Sequence, residues 1–146
     1  TMTERNKLYL ISDNTSYYDD VYNRLVDIGM YHEDGARCLV SLLLETLRDL
    51  QSHHLIHRMI EPKNLILNNK TNDRISLVLV NFHHAKIVKD GEKLKTICGI
   101  PEYSAPEVLL KTGYDEKADN WSMGCILYFM LCRFHAFNID DDDDVP

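Results

Sequence analysis

Five histidines stand in two short clusters, His53, His54 and His57, then His83 and His84. Imidazole is a common zinc ligand, so a metal site is the first chemistry to weigh. Structural zinc calls for a repeated ligand spacing, and none is present. The four cysteines, Cys38, Cys98, Cys125 and Cys132, form no C-x-x-C pair. We expect no metal. The acidic run Asp140–Asp144 reads as a solvated tail. A formal net charge of −7 argues against nucleic acid and anionic membrane as partners, since both require a basic face. Thr1–Lys7 is polar and unlike a signal peptide, and the longest apolar run, Met123–Cys132, is too short to cross a bilayer. Reduced thiols and a cytoplasmic location follow as expectations.

These side chains need elements to position them. The 146 residues, 45% hydrophobic and 27% charged, suit one compact globular domain over 1–146. Lys7–Ile11 is a short apolar strand candidate. Val21–Ile28 has a helical pattern closed by Gly29. Ala36, Leu39, Val40, Leu43, Leu44, Leu47 and Leu50 recur at three- and four-residue spacing, which predicts an apolar stripe on a helix of about five turns. Leu65–Leu67 and Ile75–Val80 are β-type runs joined by a turn-rich stretch, so a hairpin is predicted. Thr96–Pro106 contains Gly99, Pro101 and Pro106 and should be irregular. Ala118–Cys132 is apolar on nearly every side, which predicts a helix buried all round. The fold class is mainly α with a small β-hairpin.

Four segments in order resemble the protein-kinase family. His57-Arg58-Met59-Ile60-Glu61-Pro62-Lys63-Asn64 resembles the catalytic loop H-R-D-L-x-x-x-N, and Asn81-Phe82-His83 stands where D-F-G belongs. Ala105-Pro106-Glu107 is an intact A-P-E. Asp119-Asn120-Trp121-Ser122-Met123-Gly124 resembles the D-x-W-S-x-G that opens the family's central helix. Lys7–Ile11, Met30–Ala36 and Cys98–Val108 are most similar to the calcium/calmodulin-dependent group. The resemblance implies a partial C-terminal lobe running from the hinge through the central buried helix, without the small lobe and the last helices.

It also implies roles. The base that accepts the substrate hydroxyl's proton would stand at Met59, the lysine that steadies the phosphate at Glu61, and the magnesium carboxylate at Asn81. Only Asn64, the second metal contact, keeps its type. His57 and Phe82 match the family's spine, and Asp119 the buried anchor under the loop, which should accept backbone hydrogen bonds near His57 and Arg58. Ile66 matches the contact beneath adenine. Tyr17 and Tyr18 crowd the nucleotide mouth, and Asp19 or Asp20 remains to meet a ribose. Thr96 matches the activation-loop phosphosite and Arg58 its phosphate-receiving arginine. His54 stands at a family glycine, where histidine tolerates left-handed backbone. Met59 and Ile100 replace a hydrogen-bonded pair, so a contact between them is expected.

On these residues we expect an inactive chain with no cofactor of its own. ATP and magnesium, the family's cofactors, should bind weakly or not at all. The leading expectation is a non-catalytic kinase-like module acting by protein binding, through a partner or self-association over exposed apolar surface. The alternatives are a Ser/Thr protein kinase fragment whose missing lobe lies elsewhere, and a truncated product without selected function.

Overall fold

The structure, a computed structural model, describes residues 2–4, 7–9, 19–68 and 76–137. Its elements in chain order are β1 (Met2–Glu4), β2 (Lys7–Tyr9), β3 (Asp19–Asp20), α1 (Val21–Ile28), α2 (Glu33–Ser52), β4 (Leu55–Ile56), β5 (Leu65–Asn68), β6 (Ser76–Leu79), β7 (Lys86–Ile87), α3 (Pro106–Leu109) and α4 (Lys117–Cys132). It is mainly helical with small antiparallel sheets, in keeping with the sequence.

Local chemistry sets the helix ends. The Asp20 carboxylate caps α1 by accepting from the Asn23 backbone N–H at 2.8 Å and the Asn23 side-chain amide at 2.9 Å. Gly29 stops the helix at φ 87°, its N–H donating to the Leu25 carbonyl. In α2, Glu33 and Asp34 occupy the first turn, where the helix dipole favours negative charge, and Arg37 pairs with Glu33 at 2.8 Å. Ala36, Leu39, Leu43 and Leu47 form the buried face; Leu44 lies off the stripe and is exposed.

That face packs against Cys125, Ile126 and Met130 of α4 and against Leu65, Leu67 and Leu79 of the hairpin, forming the main core. The hairpin belongs to a three-stranded sheet in the order β3-β5-β6. Leu65 opposes Leu79 and Leu67 opposes Leu77 on the inner face, whereas Ile66 opposes Val78 on the outer one. A second cluster, with Ile56, Val88, Leu94, Val108, Tyr114 and Ala118, lies under the segment 86–118. The two-residue strands β4 and β7 pair antiparallel and bring residue 57 beside residues 82–84.

The strand at Lys7 pairs antiparallel with β1, Thr3 opposite Leu8, while Leu10, Ile11, Tyr17, Tyr18 and Asp140–Asp144 lie outside the described residues. One expectation is corrected: α4 is not buried all round. Trp121, Tyr128 and Leu131 are 37–38% exposed along one flank. Past the helix the chain folds back over that flank: Phe137 stacks on Trp121 at 5.3 Å and Phe134 meets Tyr128 edge-on at 5.5 Å. Those two aromatics are themselves exposed. An apolar helix surface reports hydrophobicity on each side; it does not report which sides find a neighbour.

Candidate functional site

The loop 57–64 hangs from one carboxylate. Asp119, in the first turn of α4 and almost wholly buried, accepts the backbone N–H of His57 at 2.8 Å and of Arg58 at 2.9 Å, one on each oxygen. Burial pushes its carboxyl up to about 6, against the two hydrogen bonds and the charge of Arg58, which pull it down. Arg58 sits at φ 66°, a left-handed conformation that costs a side-chain-bearing residue energy unless the surroundings hold it. Besides the anchor, the Arg58 Nε donates to the His84 carbonyl at 2.6 Å, and Nη1 reaches the Tyr114 hydroxyl at 3.4 Å. His54 is left-handed as well, at φ 55°.

His57 is fully buried, and its Nε2 donates to the Val80 carbonyl at 3.0 Å. That fixes the tautomer, so Nδ1 accepts the Met59 N–H at 3.3 Å. Burial pulls the imidazole down to about 4, so the ring is neutral at ordinary pH. Phe82 meets it edge-on at 4.7 Å. The two residues that match the family's spine are thus in contact, and the His57 backbone is bonded to Asp119.

Past His57 the polar groups close on one another. Asn64 Nδ2 donates to the Met59 carbonyl and to Glu61 Oε1, both at 2.9 Å. Asn64 Oδ1 accepts Asn81 Nδ2 at 3.1 Å, and the same amide reaches the Met59 sulfur at 3.4 Å. Asn81 adopts left-handed backbone at φ 71°. The Met59 thioether therefore faces Asn81 and not Ile100 alone; Met59 and Ile100 line one narrow cleft together. Burial raises the Glu61 carboxyl, opposed by the charge of Lys63 and the bond from Asn64. Gly99 closes the cleft at φ 91°, and a Cβ there would stand 3.0 Å from the Arg58 carbonyl, so a side chain would force the loop to shift.

Other residues fall at the margin. Ile66 points outward beside Val78, half-buried, on the hairpin face away from the main core. Asp20, proposed for a ribose, is committed to capping α1. Thr96 is exposed, and its carbonyl accepts the Tyr114 hydroxyl at 2.7 Å, so Tyr114 links Thr96 to Arg58. Sequence reasoning missed Tyr114. Buried in the second cluster, it also lies 3.7 Å from Cys98 Sγ, and nothing in its Gly113-Tyr114-Asp115 setting announces that role.

The donor set does not fit magnesium. Asn81 and Asn64 offer neutral amide oxygens, one of them already accepting a hydrogen bond, where a hard dication prefers charged oxygen. Among the described residues no group of three or more His, Cys, Asp or Glu stands together as a metal set. Melting of the protein should be indifferent to millimolar magnesium. Asn81→Asp should lose about 1–3 kcal/mol in chelator, because a second acceptor then faces Asn64 Oδ1, and should regain stability with magnesium. A thermal-shift titration reads both, and a magnesium-dependent rise for the unsubstituted protein would contradict the first.

Comparison with known proteins accounts for this arrangement. The family described as protein kinase domain matches residues 1–145. Myosin light chain kinase A of Dictyostelium discoideum is 36% identical over 131 residues, 90% of this chain and 44% of the relative. Calcium/calmodulin-dependent protein kinase cmkB of Emericella nidulans is 33% identical over 135 residues, 91% and 33%. Mouse calcium/calmodulin-dependent protein kinase type IV is 36% identical over 118 residues, 81% and 25%. The chain spans less than half the length of these relatives. The similarity corrects the expectation that the chain is no enzyme. Relatives at 33–36% identity are named kinases, so Met59, Glu61 and Asn81 are departures within a family of enzymes and do not by themselves remove the chain from it.

Proposed function

The chain belongs to the protein kinase domain family, calcium/calmodulin-dependent kinase-like, and from that premise we propose that it works as the large-lobe part of a Ser/Thr protein kinase, in ATP-dependent phosphorylation of protein hydroxyls. Residues 1–146 act as one unit from hinge to central helix. The observation that carries this is the anchored loop. Asp119 holds the backbone at His57 and Arg58, the geometry that would present residues 59–64 to a substrate. With no carboxylate at 59 or 81, turnover should be slow, since a positioned general base alone is worth about 10²–10⁴-fold. The test is transfer from labelled ATP to a Ser/Thr peptide, with expected incorporation low but above a no-protein control; incorporation equal to that control would sink the reading. We place the protein in the cytoplasm, with neither nucleic acid nor membrane as partner; among the described residues no helix is long and apolar enough to cross a membrane.

A second reading, action by protein binding, is favoured by the exposed flank of α4. Tyr128 and Leu131 with Phe134 and Phe137 leave large apolar surface in water, each side chain forgoing up to about 1.5–3 kcal/mol of burial. The chain should therefore self-associate across this flank. Sedimentation at increasing concentration should show a species heavier than the monomer, reduced by Phe134→Ser. A single monomeric boundary at every concentration would exclude it.

A further inference from the structure

We propose that the groove between α1 and the turn after α4 docks an acidic segment of a protein partner, with carboxylates about 10 Å apart on either side of a large apolar side chain. The inference rests on the protein-binding reading above and names the partner's chemistry. The groove is built on near-parallel rings. Tyr22 of α1 stacks on Phe129 at 6.2 Å, and His135 stacks on Phe129 at 5.0 Å. Val26 and Phe134, 56% and 59% exposed, add apolar lining. The space is about 340 Å³, at the low end of the about 300–1,000 Å³ of ligand pockets, so it admits a side chain and not a folded domain.

Charge selects the partner. The protein carries a formal net charge of −7, yet a cation stands at each end of this groove. Lys63 Nζ lies 5.0 Å from the centre of the Tyr22 ring, and Lys63 is the only exposed side chain of the 57–64 loop. At the other end Arg133 has left-handed backbone at φ 67°, and its N–H donates to the Phe129 carbonyl at 2.9 Å. A Cβ on Gly29 would stand 4.0 Å from Arg133 Nη1, so the guanidinium lies beside the end of α1. Among the described residues neither cation forms an ion pair. The nearby acids are otherwise placed. Glu61, which feels the charge of Lys63, is buried and bonded to Asn64; Asp20 caps α1; Asp27 does not line the groove. An apolar strip with a free cation at each end complements an apolar side chain between two acids and repels a basic segment at both ends. Tyr22 and Gly29 are seven residues apart, about 10 Å at about 1.5 Å per residue, the span between positions i and i+7 of a partner helix laid in the groove.

The probe is a fluorescently labelled amphipathic helical peptide with Glu at two positions seven apart and Leu between them, titrated with the purified protein and read by anisotropy. It should bind saturably, at least about 10-fold tighter than the same peptide with Lys at both positions, and the preference should shrink as salt rises. Lys63→Gln and Arg133→Gln should each weaken the Glu peptide about 2–5-fold and leave a peptide with Gln at both positions unchanged. The first comparison alters the ligand alone, so it decides even where a variant fails to fold. Equal affinity for the Glu and Lys peptides overturns the proposal, as does saturable binding of neither; in both cases self-association, read by sedimentation, stands or falls separately. Self-association abolished by Val26→Asp, with no peptide bound, gives the groove to a second copy of the chain and overturns the proposal too. Glu-selective binding beside a monomeric boundary at every concentration supports it and removes self-association.

Discussion

Asp119→Ala is expected to cost about 3–5 kcal/mol, enough to unfold the protein or leave it marginal. The substitution leaves the N–H groups of His57 and Arg58 buried without an acceptor, about 1–3 kcal/mol each. Relaxation of the left-handed backbone at Arg58, whose strain is about 1–3 kcal/mol, offsets only part of that loss. Set against a total of about 5–15 kcal/mol, this is a large fraction. Asp119→Asn, with one amide oxygen left to accept, should fall between. Urea unfolding measures both, and a loss below about 1 kcal/mol for Asp119→Ala would mean the loop holds its shape without the anchor.

The same two residues should oppose each other in pH dependence. Asp119 titrates near 6, raised from 3.8 by burial. Its neutral form is favoured in the fold, so its contribution is full below 3.8 and is lost as pH rises through about 6. His57 titrates near 4, lowered from 6.5 by burial. Its contribution is present above 6.5 and is lost as pH falls through about 4. Each shift of about two units is worth about 3 kcal/mol, and the signs are opposite over the same window. Stability of the unsubstituted protein should therefore change little from these two groups between pH 4 and 6.5. Asp119→Asn should become less stable toward acid, and His57→Gln less stable toward neutrality. Other titrating groups, Glu61 among them, are common to all three proteins and drop out of the comparison. Urea midpoints that move in parallel for all three would refute the opposition.

What could be read ahead of the structure divides by physical range. Val21–Ile28 and the long helix were legible because a 3.6-residue period repeats within them, and the hairpin because two β-type runs flank a turn. Asp119 was legible as an anchor through its match to the kinase D-x-W-S-x-G segment, and its need for donors because a buried carboxylate must find them. Strands β4 and β7 were not, because two residues carry no period. Pairing two losses points the Met59 side chain at Ile100, but it carries no sign of Asn81, whose amide donates to the Met59 sulfur as well as to Asn64. Tyr114 had no local signature, since its importance arises wholly from what three distant segments bring to its hydroxyl.

The anchor also sets a timetable. Asp119 follows His57 by 62 residues, and a growing chain lengthens by about 5–20 residues each second. For roughly 3–12 s after residue 57 is made, its loop has no carboxylate to organise it. The hairpin and α2, built from nearby partners, face only short-range closure and form first. The segment that would meet substrate is thus among the last to acquire shape in a nascent chain, and it depends on synthesis continuing through α4. A ribosome stalled ahead of residue 119 would carry a hairpin and a helix, with the stretch between β4 and β5 still unset and open to proteases and chaperones.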